Sequence, residues 1–451
     1  MVSIIRSRLA LLVAWGGRLS GFLAMPALAV VAPLAVLPVV SATQGPQGWA
    51  ALAVGQSVGA IGSIIAGLDW PYVGPVQAVQ RLRRSEADVR SLFAESQWTR
   101  SAALAGLVPV VVLVTWLTAP AEYRLEAVLM SVAVASNALT ATWYYESRAD
   151  ARGLLLSEGV VRLGLSLLSL PLVWRGWLWT YPIALLLGAA LSFLLNNRLV
   201  LGDWRGREIA RSWGSLSPKA RLHRIRELSS SLGARIASNG LYFGAVSVVA
   251  VLAHSSLARF SAFDRVQKSL TSALTVLPGA LVSVAYDDRP PAYRLRRTMW
   301  VALLTAAACA SVGVVVALTL SAVLGLIFSG LVRGDALETA LVAAGVGLAL
   351  WNRCLLMLVW LPAGRSKVAF RNLLIASLVG LGALAIGTLA FGVAGALAAV
   401  VISEVVVVVL NVAGVIPALW RLRGSTPADI HPGHSGAEVA TSPPPPPPFK
   451  E

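Results

Sequence analysis

The stretch ASLVGLGALAIGTLAFGVAGALAAVVISEVVVVVLN, residues 376–411, decides the fold class because Glu404 is its only charged residue. A helix needs about 20 mostly apolar residues to cross a lipid bilayer. A stretch of this length therefore predicts two successive membrane-spanning helices, at 368–391 and 395–420. The residues GVAG at 392–395 leave room between them for only a tight turn.

The composition of the whole chain agrees with this interpretation. Of 451 residues, 57% are hydrophobic and 13% are charged, and the mean hydropathy is +0.74. A soluble chain has about 45–50% apolar and about 25% charged residues. The composition therefore excludes a cytosolic enzyme, a secreted domain and a disordered protein. Both cysteines, Cys309 and Cys354, lie in apolar runs, which excludes a disulfide framework and a cysteine metal site.

Further apolar runs predict an all-α polytopic membrane protein with about 12 transmembrane helices. The predicted spans are 22–42, 48–70, 101–118, 124–143, 153–174, 177–197, 231–253, 257–286, 299–328, 335–361, 368–391 and 395–420.

The distribution of basic residues predicts the orientation of these spans. With the N-terminus inside, 28 of the 37 lysines and arginines fall in inner segments, 4 in outer loops and 5 within spans. Cytoplasmic loops carry an excess of lysine and arginine. We therefore expect a multi-pass protein of the bacterial plasma membrane with both termini in the cytoplasm. The net charge of +16 is explained by topology, so nucleic acid is not expected as a partner.

The longest inner loop divides the predicted spans into two equal groups, as in transporters built from two repeats. The predicted organisation is an N-terminal amphipathic or cytoplasmic segment (1–21), a six-helix bundle (22–197), a basic inter-bundle loop (198–230), a second six-helix bundle (231–420) and a disordered proline-rich cytoplasmic tail (421–451). The polyproline run at 443–448 is compatible with an SH3-type ligand as well as with a tail that has no partner.

Charged residues of the predicted spans that lie in or near the membrane core are candidates for function, because each costs at least roughly 2.5–3.5 kcal/mol at the bilayer centre. Bases outnumber acids among them, which favours an anionic cargo. These residues are Arg162, Arg235, Arg265, Lys268 and Arg353 against Glu158, Asp264 and Glu404.

Two of the acids have a base four residues later, Glu158 with Arg162 and Asp264 with Lys268. Residues at this spacing share a helix face and can form an ion pair. Such a pair either locks helices together or forms part of a substrate or ion site, and both interpretations stay open for Glu158 and Arg162. Glu404 has no partner in its own span, which favours a functional role such as ion coupling.

Polar stripes on two spans predict the helix faces that line an interior. The first consists of Ser231, Arg235, Ser238, Asn239 and Tyr242, which share one face of span seven. The second is milder and consists of Gln56 and Ser63, beside Gly55, Gly59 and Gly62, which allow close helix packing.

Signatures of an enzyme, a metal site or a cofactor site are not found in the sequence. His431 and His434 form an H-x-x-H in the predicted disordered tail, where a loop is favoured over a metal site. The outer loops, such as GPQG at 45–48 and PAEYR at 120–124, are too short for a catalytic domain.

Four stretches resemble the polysaccharide-unit flippases, a branch of the multidrug/oligosaccharidyl-lipid/polysaccharide exporter (MOP) superfamily. These are GPQGWAALAVGQSVGAIGSIIAGLDW (45–70), ATWYYESRADARGLLLSEGVVRLG (141–164), ARIASNGLYFGAVSVVAVLAHSSLARFSAFDRVQKSLTSALTVLPGALVS (234–283) and GVAGALAAVVISEVVVVVLN (392–411). The resemblance covers most of 20–420 and is carried mainly by glycines and small residues. Peptidoglycan-precursor flippases of the same superfamily have two further helices, so twelve spans favour the polysaccharide branch.

The resemblance implies two six-helix bundles around a central cavity that opens to one side of the membrane and then to the other. The implied cargo is a polyprenyl-diphosphate-linked glycan, with a polysaccharide polymerase and glycosyltransferases as further partners beside membrane lipids. Cationic and polar residues in the family's cavity correspond to Arg235, Asn239, Arg265 and Lys268. Together with Tyr242 and Arg353, they form the expected substrate-binding lumen, while Glu158, Arg162, Asp264 and Glu404 are candidates for ion coupling.

Other classes of membrane protein remain as alternatives. An ion-coupled exporter of drugs or metabolites has a similar architecture, although an acidic cavity would suit cationic drugs better. A porter of the major facilitator type usually has a G-x-x-x-D-R motif after span two, whereas this chain has GPVQAVQRLRR at 74–84. A membrane glycosyltransferase would need longer outer loops.

Overall fold

The computed structural model describes residues 2–82, 84–148, 150–204, 206–214, 217–229, 232–274, 291–360 and 366–424. Within these ranges the chain is mostly helical, with short turns between the helices, and has no strand. The α-helices are α1 (Val2–Gly67), α2 (Trp70–Leu82), α3 (Glu86–Thr118), α4 (Arg124–Ala135), α5 (Thr142–Ser147), α6 (Ala151–Leu154), α7 (Val161–Trp174), α8 (Thr180–Leu201), α9 (Arg207–Gly214), α10 (Pro218–Leu228), α11 (Leu232–Leu252), α12 (His254–Leu274), α13 (Pro291–Ile327), α14 (Ala336–Leu355) and α15 (Ser366–Gly424). Short 3₁₀ turns occupy Ala121–Tyr123 and Ser136–Leu139, and π-helical turns occupy Leu155–Val160 and Leu356–Trp360.

The two longest helices are each divided by one glycine in a left-handed conformation. Gly45 (φ 64°) breaks α1, and Gly392 (φ 58°) breaks α15. Glycine adopts this conformation without the penalty that a Cβ imposes. Both breaks fall at predicted outer turns, GPQG at 45–48 and GVAG at 392–395.

When these two breaks are counted, the described residues contain twelve long helical segments at the predicted spans. Eight helical stretches are long and apolar enough to cross a membrane. Two of them contain a break: Ala35–Leu82 includes Gly45 and the junction of α1 with α2, and Lys367–Gly414 includes Gly392. The chain is thus an all-α polytopic membrane protein, as predicted. Part of the predicted span 257–286 and the last residue of 335–361 lie outside the described residues, as do residues 425–451 of the tail.

The helices pack in two groups that follow chain order. In the first half α1 packs against α3, α4 and α7, and α8 packs against α4 and α7. In the second half α11 packs against α12 and α15, and α14 packs against α13 and α15. The two halves meet where α1 contacts α11 and α12.

Two glycines of α1 allow it to approach α4 closely. A Cβ on Gly55 would lie 2.3 Å from the Ala127 carbonyl oxygen, and one on Gly59 would lie 2.4 Å from the Ser131 carbonyl oxygen. Small residues at these positions bring the two helix backbones together, as the sequence predicted.

The basic loop between the halves contains two short helices, α9 and α10. Arg224 of α10 donates from Nε to Glu95 Oε1 of α3 at 2.5 Å and from Nη1 to Glu227 Oε2 at 2.8 Å. Burial opposes the charge on the Arg224 guanidinium, but its bonds to Glu227 and Glu95 outweigh burial and raise its pKa. Asp69 N donates to the Leu228 carbonyl oxygen at 2.9 Å, so the loop is joined to the first half.

Helix α1 begins at Val2 and runs without interruption through Pro26, Pro33 and Pro38 to its break at Gly45. Residues 2–21 therefore extend the first helix.

Candidate functional site

A central cavity of about 510 Å³ lies between the two halves of the molecule. Its wall is formed by α1, α4, α7 and α8 from the first half and by α11 and α12 from the second. Six of the predicted site residues line it, namely Glu158, Arg162, Tyr242, Asp264, Arg265 and Lys268. The predicted stripe on span two also faces it through Gln56 and Ser63.

Lys268 forms the expected pair within α12. Its Nζ lies 2.7 Å from Asp264 Oδ2, and the two side chains are 20% and 14% exposed. The ammonium also lies 5.1 Å from the centre of the Tyr242 ring, where the negative face of an aromatic ring attracts a cation. The charge of Lys268 is therefore largely balanced in this conformation.

Arg265 joins the two halves across the cavity. Its Nη1 donates to Gln56 Oε1 of α1 at 2.7 Å, and its Nε is buried without a hydrogen-bond partner. Among the described residues, no carboxylate lies within salt-bridge distance of Arg265. An arginine carries five donors and keeps its charge, so this side chain can accept an anionic group that enters the cavity.

Glu158 and Arg162 do not form the expected direct pair. Glu158 Oε1 accepts from Ala141 N at 2.5 Å and from Asn196 Nδ2 at 3.2 Å, whereas Arg162 Nη1 donates to Asn137 Oδ1. Glu158 lies in the π-helical turn Leu155–Val160, and both side chains line the central cavity. Each is held by polar groups of other elements instead of by the other.

Arg235 does not line the central cavity, contrary to the predicted lumen. Its Nη1 donates to the Leu68 carbonyl oxygen and lies 3.4 Å from Asp69 Oδ1, and its guanidinium lies 5.0 Å from the centre of the Tyr72 ring. These contacts hold it against the junction of α1 and α2. Asn239 Nδ2 donates to the Arg235 carbonyl oxygen at 2.9 Å, and Asn239 is not among the residues that line the central cavity. Ser231 and the side chain of Ser238 lie outside the described residues.

Glu404 lies in the second half, beside a smaller cavity of about 70 Å³ that it shares with Asp264 and Lys268. Asn352 Nδ2 donates to the Glu404 carboxylate and, at 3.1 Å, to its backbone carbonyl. Among the described residues, Glu404 has no partner in its own span, and its hydrogen-bond partner Asn352 lies on α14. Arg353, the neighbour of Asn352, is exposed and lines neither of these cavities.

Several polar residues of the interior were not predicted from the sequence. Asn137 and Asn196 hold Arg162 and Glu158, and Asn352 holds Glu404. Arg100 was counted in an inner loop, but it is a fully buried residue of α3. Asparagines within predicted spans were an available signal, because polar side chains in a membrane helix face protein or water.

Within the part of the chain that the structure describes, no group of three or more His, Cys, Asp or Glu side chains is arranged to hold a metal ion.

Comparison with solved structures shows that this architecture occurs in MATE transporters. An inward-facing multidrug resistance MATE family transporter of the MOP superfamily matches over 90% of this chain and 100% of its own, with a TM-score of 0.63 and 17% identity. The eukaryotic MATE transporter AtDTX14 matches over 90% and 97%, with a TM-score of 0.52 and 16% identity. A MATE protein in the bent conformation matches over 89% and 95%, with a TM-score of 0.51 and 16% identity.

No protein-family model and no curated protein sequence matches the chain. At these identities the structural likeness establishes the fold. The fold agrees with the all-α polytopic architecture expected from the sequence, and the assignment to the polysaccharide-unit flippases stays a prediction.

Proposed function

We propose that this protein is a transporter, and not an enzyme, that exports a drug-sized organic solute through the central cavity by alternating access. The observation that carries the proposal is the cavity itself. It has about 510 Å³ and is walled by helices of both halves, and small-molecule sites typically have about 300–1,000 Å³. The MATE-like fold supports the same function, since two of the matched structures are described as MATE transporters and one of them as a multidrug resistance transporter.

The charges on the cavity wall favour a cargo with an anionic group. Asp264 balances Lys268, and Glu158 is held by Ala141 and Asn196. Arg162 and Arg265 are left without a carboxylate within salt-bridge distance among the described residues. Hydrogen bonds between guanidinium and an anionic oxygen are about twice as strong as neutral ones. We assign the coupling of transport to an ion to Glu404. It borders the smaller cavity and, unlike Asp264, forms no salt bridge with a described base.

A second candidate function is the flipping of a polyprenyl-diphosphate-linked glycan from the inner to the outer leaflet for cell-surface polysaccharide synthesis. Arg162, Arg265 and Lys268, which face one cavity, favour it, because a diphosphate needs several cations close together. The volume of the cavity argues for the smaller cargo, since an oligosaccharide with its lipid exceeds it in this conformation.

The two candidates are separated by transport into proteoliposomes of the purified protein. One arm follows a sulfonated fluorescent dye and, for comparison, a cationic dye of similar size. The other arm follows a fluorescent short-chain polyprenyl diphosphate sugar, whose outer-leaflet fraction is quenched with dithionite. We expect the anionic dye to move faster than the cationic one and Arg265→Gln to reduce its rate at least tenfold.

Arg152→Gln is the matched control, since Arg152 is an exposed arginine outside the cavity. Its rate should equal that of the wild type. Faster movement of the polyprenyl probe would favour the flippase, and failure of the wild type to move any of the three probes would contradict both functions.

A further inference from the structure

A second cavity of about 370 Å³ adjoins the central one at the predicted cytoplasmic end of the molecule. The two cavities share Ser63, Ile64 and Asn137 as lining residues. The second cavity lies between the α1–α2 junction, α3, the segment that joins α4 to α5, and the start of α11. The proposed transport function makes no use of it.

Arg100 lines this cavity and forms no salt bridge with a described carboxylate, although Glu158 lies near enough to interact with its charge. The residue is 1% exposed. Its Nε donates to the Ser96 carbonyl oxygen at 3.1 Å, and its Nη1 donates to the carbonyl oxygens of Ala138 and Thr140 at 2.7 Å. Its Nη2 is buried without a hydrogen-bond partner. A guanidinium in this setting retains donors for an anionic oxygen.

Trp143 adds a second donor without a partner to the same wall. It is 2% exposed, and its indole Nε1 makes no hydrogen bond. The ring is fixed by aromatic neighbours, with centres 5.5 Å from Trp70 and 6.2 Å from Phe93. Buried donors in folded proteins are nearly always paired with protein groups or ordered water, so these two unpaired donors offer pairing sites for a ligand with acceptor oxygens.

Arg235 places another cation on this wall, although Asp69 balances it. Glu146, which is exposed, is the one carboxylate among the residues that line the cavity in the described part of the chain. It should weaken the binding of an anion. Neutralising Glu146 should therefore strengthen anion binding, whereas removing a donor should weaken it, so the assignment predicts variants with opposite effects on affinity.

We propose that the second cavity is a binding site for an oxyanion of the phosphate or carboxylate class, held by Arg100 and the Trp143 indole. The ligand is either a free anion or the phosphate of a lipid headgroup. This assignment does not depend on the cargo of the central cavity, and its test requires no transport.

The test is equilibrium dialysis of the full chain, purified in a neutral detergent, against radiolabelled inorganic phosphate. A parallel arm uses radiolabelled dihexanoyl phosphatidic acid, with dihexanoyl phosphatidylcholine as its neutral counterpart. Saturable binding of phosphate itself identifies a free-anion site. Saturable binding of phosphatidic acid alone identifies a lipid headgroup as the source.

Three variants locate the site. Trp143→Phe keeps an aromatic ring but removes the N–H donor together with part of the ring volume. We expect a three- to tenfold loss of affinity, and thermal unfolding in detergent checks that the variant is folded. Glu146→Gln should raise the affinity about threefold. Arg100→Met should abolish binding, but Arg100 also donates to three backbone carbonyls, so the location of the site is decided by the other two variants.

Two outcomes would overturn the proposal. The first is that neither phosphate nor phosphatidic acid binds saturably to the wild type. The second is that Trp143→Phe and Glu146→Gln both leave the affinity unchanged while Arg265→Gln lowers it, which would place the anion in the central cavity. Arg152→Gln serves as the charge-matched control for non-specific binding to a basic protein.

Discussion

Glu158 and Arg162 show that spacing along a helix does not fix the partner of an interior residue. Their spacing suggests an ion pair, but each side chain is bound by another element. Glu158 accepts from Asn196 of α8, and Arg162 donates to Asn137 of the 3₁₀ turn Ser136–Leu139.

The structure therefore predicts that a charge swap of this pair fails. The double variant Glu158→Arg with Arg162→Glu should be as inactive and as unstable as either single change, because each exchanged group meets the wrong partners. Glu158→Ala should cost about 1–3 kcal/mol of stability, since the donors of Ala141 and Asn196 lose a buried acceptor, while Glu158→Gln keeps an acceptor oxygen and should cost less. Thermal unfolding in detergent measures these differences, and recovery of stability in the swap would restore the direct pair.

Asp264 offers a second test at the level of one residue. In Asp264→Asn the Lys268 ammonium loses its anionic partner at 2.7 Å, so the cavity gains about one positive charge. We expect tighter binding of an anionic dye, by about three- to tenfold, and weaker binding of a cationic one. Fluorescence anisotropy with both dyes measures the change, and equal effects on the two dyes would show that Asp264 acts only through packing.

The residues of the central cavity were predictable to the extent that they lie on regular helix faces. Arg265, Lys268 and Tyr242 follow from the pattern of α11 and α12. The prediction placed Arg235 in the central lumen, but Arg235 pairs with Asp69, which lies at a helix junction far away in the sequence. The asparagine partners could not be assigned, since cross-helix contacts depend on packing that a single sequence does not encode locally.

At the scale of helices, glycine rather than proline sets the breaks. Gly45 and Gly392 end one span and begin the next, whereas α1 continues through Pro26, Pro33 and Pro38. The positions of the spans could be predicted from apolar length alone. The π-helical turns could not, because they follow from packing of the surrounding helices.

The packing of α1 on α4 leads to a prediction for Gly59. A Cβ at this position would lie 2.4 Å from the Ser131 carbonyl oxygen, so Gly59→Ala should destabilise the protein by about 1–3 kcal/mol. Gly106→Ala in α3 is the matched control, because nothing lies within 4 Å of the added Cβ. It should be neutral or stabilising by up to about 1 kcal/mol. Equal melting temperatures of the two variants would contradict the close approach of α1 and α4.

At the scale of the whole molecule, the positive-inside asymmetry predicts which ends face the cytoplasm. In a background of Cys309→Ala and Cys354→Ala, a cysteine at the exposed Gln47 should react with an impermeant maleimide in intact cells. A cysteine at the exposed Leu222 of α10 should react only after the membrane is permeabilised. The reverse labelling pattern would invert the topology while leaving the fold intact.

The central claim is that the cavity between the halves is the transport pathway and opens alternately to the two sides. Its most direct test is a single cysteine at Ala60, a lining residue, in the same cysteine-free background. The measurement is its reaction with an impermeant thiol reagent in right-side-out and inside-out vesicles, followed by dye transport. We predict reaction from both sides and loss of transport after modification. Reaction from one side only, or full transport by the modified protein, would contradict the claim.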